Sequence, residues 1–527
     1  AILSRGEARG IGFSALVSVG NEGDLSVGEV ADLLVDDAHT DAILLFLETI
    51  REAPRLARAC RRAAAAGKPV IAYVLGQSAL GRELAATHTG ALAGSAEAMA
   101  AWLDAQGVVR VDQFETLLEI PPLLRQARPP GGRRVAVVTT TGGGAAMVVD
   151  RIGSDDVQVV GPPPALIEQL AAQGVHIGSG PVTDLTLAGT RREVYAAVLD
   201  AYLGSDHCDT VLAVAGSSAQ FHPQHAVEPI VAAVRRGKRL LAFAAPQADE
   251  ALALFARAGV PAFRTPEACA DALRALARWR EPQGDALPEG DEIAAVAAAS
   301  ALVARYATGM CDEAQARSVF AALGVAQGDW RVIVDAGDRD PLPLPAAVKV
   351  LSPDIAHKSD IGGVRLGCAT EAEARNAFAE TLAAARHAMP QARIRGALVQ
   401  RMEKGLAEVI VGFRRDAQTG PTIVVGTGGT LAEVYRDAVV RPAPVSLEEA
   451  ARMVAAVRGL APLRGYRGAV AGDIAALCRV VRRFSLLACV AGAQIADAEI
   501  NPLVVRASGE GVVALDAVLV IAPREPA

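Results

Sequence analysis

A chain of 527 residues with 52 Lys and Arg against 59 Asp and Glu carries a net charge of -7. It holds no long basic run, so a nucleic-acid or membrane-surface role, which needs clustered positive charge, is not expected. No stretch of about 18 apolar residues is available to span a bilayer, and the length suggests about three or four domains.

The chain begins Ala1-Ile-Leu-Ser, without methionine or a signal pattern. Short apolar runs then alternate with alanine-rich amphipathic segments: Ala42 to Leu47, Val70 to Leu75 and Val108 to Val111, followed by Val135 to Thr139, Val211 to Ala215 and Leu240 to Ala244. This alternation predicts parallel sheets with helical crossovers. The two sets are copies of one unit: the stretches opening at Asp41, Gly67 and Gly107 recur at Asp209, Gly237 and Gly259. Aligning Arg9 onward with Arg151 onward places the strand matching Arg134 to Thr141 before residue 1. The first unit is therefore expected to lack its opening strand and loop. From Lys68 to Gly107 the chain runs 39 positions, against 21 from Lys238 to Gly259. The longer segment carries a lone histidine, His88, among small residues at Thr87 to Ser95, and such asymmetric loops are where duplicated folds acquire chemistry. Glu48 ends a predicted strand, on the side where open parallel sheets bind ligands and where the inserted loop should lie. His207, His222 and His225 of the second copy read as a surface feature.

Pro129 to Gly132 and Glu281 to Asp291 are linker-like. The expected domains are 1–128, 133–282 and 295–527. The third is predicted to start with a helix, Asp312 to Leu323, and to continue as a mainly antiparallel α+β domain. Its strands are expected at Ala346 to Leu351, Ala397 to Gln400, Glu408 to Phe413 and Thr422 to Val425.

That third region concentrates the chemistry. Lys349 lies inside an apolar strand pattern, where its charge needs an anionic partner. Ser352 to Val364 places His357, Lys358, Gly362 and Gly363 in one loop, a composition that lets a backbone approach phosphates. Gly426 to Glu433 is a second glycine-rich loop. Asn501 and Asp516 offer hard oxygen donors on two adjacent short strands, suited to Mg2+ shared with a nucleotide's phosphates. The seven cysteines are scattered without paired metal spacing, which fits reduced thiols in a cytoplasmic protein.

With these motifs, residues 298–527 resemble the ATP-grasp domain of the ADP-forming acyl-CoA synthetases, the superfamily that includes succinyl-CoA synthetase. The hallmarks are Val348 to Val364, the loop at Gly426 to Gly429, Leu463 to Gly468 and Glu499 to Leu503. Residues 1–282 resemble the two flavodoxin-like CoA-ligase domains of the same family, and Thr87 to Gly94 resembles its phosphohistidine loop. The resemblance implies an α/β fold of two flavodoxin-like, doubly wound parallel-sheet domains followed by an ATP-grasp α+β domain. It implies an acid-CoA ligase that makes acyl-CoA, ADP and phosphate from a small carboxylic acid, CoA and ATP, with Mg2+. His88 would be transiently phosphorylated and Glu48 would orient its ring. Lys349 would meet the phosphates, with Lys358 beside it, and Gln400, Arg401 and Met402 would lie at the adenine edge. Glu408, Gly428, Gly429 and Glu433 would line the nucleotide cleft, while Asn501 and Asp516 would hold Mg2+. Glu499 would be the second carboxylate that meets the phosphohistidine, and His357 would match a relay position found in some members.

The family's CoA-binding domain normally precedes the present residue 1. Ala336 to Pro345 is also shorter than the family pattern, where a helix is expected before the Lys349 strand. A homo-oligomer is expected. Two other classes stay open: a non-catalytic acyl-CoA or nucleotide-sensing module related to protein acetyltransferases, and an ATP-grasp carboxylate-amine ligase.

Overall fold

The computed structural model describes residues 2–76, 95–125, 127–153, 156–234, 238–335, 337–429, 437–491 and 494–523. The chain divides into two units, Ala1–Gln283 and Gly284–Ala527.

The first unit contains β1 (Ile43–Leu47), β2 (Val70–Val74), β3 (Val109–Val111), β4 (Arg134–Thr139), β5 (Gln158–Val160), β6 (Val182–Asp184), β7 (Thr210–Ala215), β8 (Arg239–Ala244) and β9 (Ala262–Phe263). Among its described residues every strand pairing is parallel. One sheet has the order β1-β2-β3; the other has the order β5-β4-β7-β8-β9, with β6 beside β4. Strands such as β7 are buried along their whole length, because helices cover both faces of a parallel sheet and only a continuous apolar run fits there.

The internal duplication has a structural counterpart, since β1-β2-β3 and β7-β8-β9 are the same arrangement. Gly107 and Gly259, at matching places before β3 and β9, adopt φ of +74° and +71°, a region that favours glycine. The two sheets share one core, in which Ile71, Val109 and Leu117 pack with Leu212, Phe243 and Leu273. Buried Asp271 ties them further, its carboxylate accepting the backbone N–H groups of Asp112 and Gln113.

The second unit opens with a helix that the sequence reading did not anticipate, Asp291–Val303. Its residues are alanine-rich and apolar nearly all round, so no polar and apolar faces distinguish it from a linker. The expected helix follows at Glu313–Ala322, started by a capping box between Asp312 and Gln315.

Next come β10 (Gly309–Met310), which precedes that helix, and β11 (Trp330–Ile333), β12 (Ala346–Leu351), β13 (Val364–Cys368) and β14 (Gly396–Arg401). The last four form an antiparallel sheet in the order β11-β14-β12-β13. One face of it, with Val348, Ala397 and Val399, packs on Ala374, Ala377 and Phe378 of the helix Glu371–Ala388. The chain continues through β15 (Ala407–Asp416), β16 (Gly420–Thr427), β17 (Ala438–Pro442), β18 (Ile495–Val505), β19 (Val512–Ala514) and β20 (Val518–Ile521). Among the described residues these join β10 in a seven-stranded antiparallel sheet. Alternation sets its two faces: Val409, Val411 and Phe413 enter the core with Met453, Leu477 and Phe484, leaving Glu408, Gly412 and Arg414 on the other.

Candidate nucleotide and phosphoryl-transfer site

Strand register decides where Lys349 points. On β12 it stands opposite Leu398 of β14, and Ala347 stands opposite Gln400, so Lys349, Leu398 and Gln400 share the face turned away from the helix Glu371–Ala388. Against that face lies the first turn of the helix Glu313–Ala322, which places Glu313 and Arg317 one turn apart and both fully buried.

The anionic partner that Lys349 needs is Glu313. Its Oε1 accepts from Lys349 Nζ at 3.1 Å and from Arg317 Nε and Nη2 at 3.1 and 3.0 Å, while its Oε2 accepts from Lys358 Nζ at 2.5 Å. Lys349 Nζ also donates to the Leu515 carbonyl at 2.7 Å. Asp516 Oδ1 sits 3.3 Å from Lys358 Nζ and 3.7 Å from Lys349 Nζ. Burial acts to raise the Glu313 pKa, but the charges of Lys349, Lys358 and Arg317 outweigh it and hold the carboxyl well below its ordinary range. For Lys358, burial acts to lower the pKa, and Glu313 and Asp516 more than reverse that.

In the loop after β12 a glycine packs tightly against the strand. Gly363 folds the loop back on the strand: its N–H donates to the Lys358 carbonyl and its own carbonyl accepts from Val350. A Cβ there would stand 2.7 Å from Val350 Cγ1 and 2.9 Å from the Lys358 oxygen. The glycine thus positions Lys358 by close packing. His357, beside it, is exposed.

Asp516 is not on a strand. It lies in the connection Leu515–Ala517 between β19 and β20, both of which pair with β18, and β18 is a long strand of 11 residues. Leu503 pairs with Ala514 and Glu499 with Val518, so the break in pairing brings Asn501 and Asp516 to the same level. Asn501 Oδ1 accepts the Gly429 N–H at 3.0 Å. Glu499 stands opposite Gly412 of β15, on the outward face that also carries Glu408. The loop Gly428–Gly429 closes over this face. A Cβ on Gly428 would fall 2.6 Å from the Val409 carbonyl carbon, and one on Gly429 would fall 2.3 Å from Glu408 Oε2, with φ at +78°.

Of the three residues expected at the adenine edge, Gln400 is turned inward, whereas Arg401 and Met402 are exposed. Gln400 is buried, and its Oε1 accepts from Arg317 Nη2 at 2.8 Å, leaving Nε2 buried without a partner. The Arg401 N–H donates to Asp329 and the Met402 N–H to Pro345. In the first unit, Glu48 directly follows β1 and lines a cavity of about 940 Å3 with residues of the segment Arg9–Glu22. His88 and Glu433 lie outside the described residues. In the second copy, His207 and His225 hydrogen-bond the backbone carbonyls of Gly161 and Thr190.

Comparison with known proteins adds an independent line. Residues 301–521 match an ATP-grasp domain, and residues 1–124 match the flavodoxin domain typical of succinyl-CoA ligases. An ADP-forming acetate-CoA ligase of Archaeoglobus fulgidus is 31% identical over 97% of this chain and 75% of its own length. The chain belongs to the ADP-forming acyl-CoA synthetase family. It is also 30% identical to a trans-feruloyl-CoA synthase from an unknown prokaryotic organism, over 97% of this chain and 73% of that protein. A 4-hydroxybutyrate-CoA ligase, ADP-forming, of Nitrosopumilus maritimus is 27% identical over 98% of this chain and 75% of its own.

The residues present fit the nucleotide and magnesium that an ADP-forming synthetase requires. Two lysines converge beside a glycine loop too tight for a Cβ, and Gln400 Nε2 is a buried donor awaiting an acceptor. Among the described residues no group of three or more His, Cys, Asp or Glu is placed to hold a metal. Asn501 and Asp516 alone suit Mg2+, a cation that keeps several waters and takes few protein ligands. The sequence reading missed Glu313 and Arg317. Two signals pointed to them: the strand lysine's need for an anion, and an acidic residue inside a capping box one turn before an arginine.

Proposed function

We propose that this protein makes acyl-CoA, ADP and phosphate from a small carboxylic acid, CoA and ATP. The observation that carries the reading is the pair Lys349 and Lys358, both pinned by the buried carboxylate of Glu313 with Asp516 beside them. The three relatives named above, each matched over nearly the whole of this chain, are CoA ligases or synthases, which favours a ligase over a sensing module.

In this reading Lys349 and Lys358 bind the nucleotide phosphates, and the N–H of Gly429 is oriented by Asn501. Mg2+, held by Asn501 and Asp516, would screen the phosphate charge. Glu408 and Glu433 line the cleft. The γ-phosphoryl group passes to a ring nitrogen of His88, and the bond to ADP breaks. Glu499 attends the imidazole at the nucleotide, and Glu48 attends it in the first unit; a carboxylate on the second ring nitrogen fixes the tautomer and stabilises the charged product. His88 then gives the phosphoryl group to the substrate carboxylate, forming an acyl phosphate. The thiolate of CoA attacks its carbonyl carbon and phosphate leaves. His357, exposed next to Lys358, is assigned to relay. We further infer a homo-oligomer and a cytoplasmic location, the latter supported by seven free cysteines.

Incubation with labelled ATP and Mg2+ should leave an acid-labile, alkali-stable phosphoryl mark that His88→Ala abolishes. Label persisting in the variant refutes the shuttle. A panel of acetate, hydroxylated short acids and aromatic acids, assayed with CoA, then assigns the substrate.

A further inference from the structure

The amino end of the second parallel sheet carries a basic cavity that the proposed reaction does not use. Arg134 and Arg239 are the first residues of β4 and β8, and they line a cavity of about 580 Å3 together with Arg125, Arg128 and Lys238. Gly142–Gly144, the first residues of the helix Gly142–Ile152, follow the opposite, carboxyl end of β4.

Two carboxylates also line the cavity, and neither neutralises it. Asp209 is committed to Arg134, which it meets at 2.8 Å, and to the backbone N–H groups of Arg133 and Arg134 at 3.0 and 2.9 Å. Burial acts to raise its pKa, yet these donors hold it at about 2. Asp206 is exposed at the rim, where its backbone carbonyl accepts from Arg134. Arg125 reaches Asp41 at 3.4 Å, Arg128 donates to the Ala127 carbonyl at 3.0 Å, and Lys238 donates to the Ser205 carbonyl.

Arg239 is the exception. Its Nη1 is buried with no hydrogen-bond partner, and so is the hydroxyl of Thr210, its register partner on β7. A guanidinium stays charged at any physiological pH, and its buried donor without an acceptor is one that a bound anion or water would satisfy.

We propose that this cavity is an anion site for the phosphate group of a small molecule, with Arg239 and Arg128 as its principal donors. Forked guanidinium groups suit phosphate geometry, and five cations against two carboxylates along the lining favour a dianion over a single carboxylate. Inorganic phosphate and nucleotide are both candidate sources.

The test is calorimetric titration of the whole chain with inorganic phosphate and, separately, with ADP. Lys349→Met serves as the background, so that the nucleotide cleft does not contribute. Phosphate binding in Lys349→Met that weakens at least ten-fold on adding Arg239→Met supports the site with free phosphate as ligand. Loss confined to ADP supports it with nucleotide phosphate as the source. Arg128→Ala, at a residue whose guanidinium contacts a neighbouring carbonyl, should weaken the same event and covers the case in which Arg239→Met fails to fold. Unchanged binding in both variants, no binding of either ligand to the background protein, or an equal thermal shift from chloride at matched ionic strength overturns the proposal.

Discussion

Glu313→Gln isolates the electrostatic centre of the proposed nucleotide cleft. The wild-type carboxylate is 1% exposed and serves Lys349, Lys358 and Arg317 at once. The amide keeps the volume and one acceptor oxygen, but it leaves three buried cations with Asp516, which is 36% exposed, as the remaining counter-charge. Breaking a buried ion pair from one side costs about 3 to 5 kcal/mol, and the retained acceptor puts the variant toward the lower end of that range. For a unit of this size each kcal/mol moves the midpoint by about 2 to 4 °C, so the transition of Gly284–Ala527 should fall by about 6 to 16 °C. Calorimetry without nucleotide, repeated with saturating ADP, is the assay. The deficit should shrink with ADP, because its phosphates offer the cations a new partner. The pH dependence has a definite sign. Glu313 is depressed below its ordinary value of 4.5, so its contribution is complete above that value and is lost as pH falls through the folded-state value. The gap between wild type and variant should therefore be level at neutral pH and close on acidification below pH 4.5. Equal midpoints at neutral pH without nucleotide refute the reasoning, as does a gap indifferent to ADP.

Gly429→Ala places a Cβ against the Glu408 carboxylate at a backbone angle that costs an L-residue about 1 to 2 kcal/mol; nucleotide affinity should drop several-fold by equilibrium dialysis while circular dichroism stays unchanged. Asn501→Ala removes the acceptor for the Gly429 N–H, worth about 1 kcal/mol, and one expected Mg2+ donor, so the Mg2+ concentration needed for half-maximal His88 labelling should rise. Lys358 has its pKa raised above 10.5. Its contribution is therefore complete below that value and lost as pH rises through the folded-state value, and Lys358→Met should flatten the alkaline limb of the stability profile, read by urea unfolding.

Much of the fold was legible because its strands are unambiguous. Thr210–Ala215 and Ala346–Leu351 are apolar runs bounded by turn residues, and their burial on both faces leaves little choice of structure. Asp291–Val303 escaped because an all-round alanine helix has no periodic signature. Asp516 was assigned to a strand by the apolar residues around it, but pairing breaks at Leu515–Ala517, and no local pattern encodes that interruption. Glu313 was the harder case. An acidic residue in a capping box normally faces water, and here a lysine 36 positions later on a separate sheet buries it. The lysine's need for a partner was visible in the sequence, whereas the partner's identity was a tertiary fact.

The two carboxylates of this cluster have different freedom, and that difference orders their roles. Glu313 is sealed beneath the lysines, with both oxygens committed and a helix N-terminus adding to its stabilisation. It cannot be exchanged without exposing a buried guanidinium. Asp516 is partly open to solvent, on a three-residue connection outside the strand ladder, and it meets the lysines at the longer distances of 3.3 and 3.7 Å. In the proposed reading, a phosphate group entering the cleft would compete for the lysines with the carboxylate they hold most weakly, which is Asp516. Once displaced, that carboxylate would be at the level of Asn501, where a cation brought by the nucleotide would require oxygen donors. The same geometry explains why the lysines come from one small sheet and its loop while their counter-ions come from a helix and a large-sheet connection. Charges of opposite sign on separate elements hold the cleft in place before the nucleotide arrives, and only the outer of the two acids needs to yield.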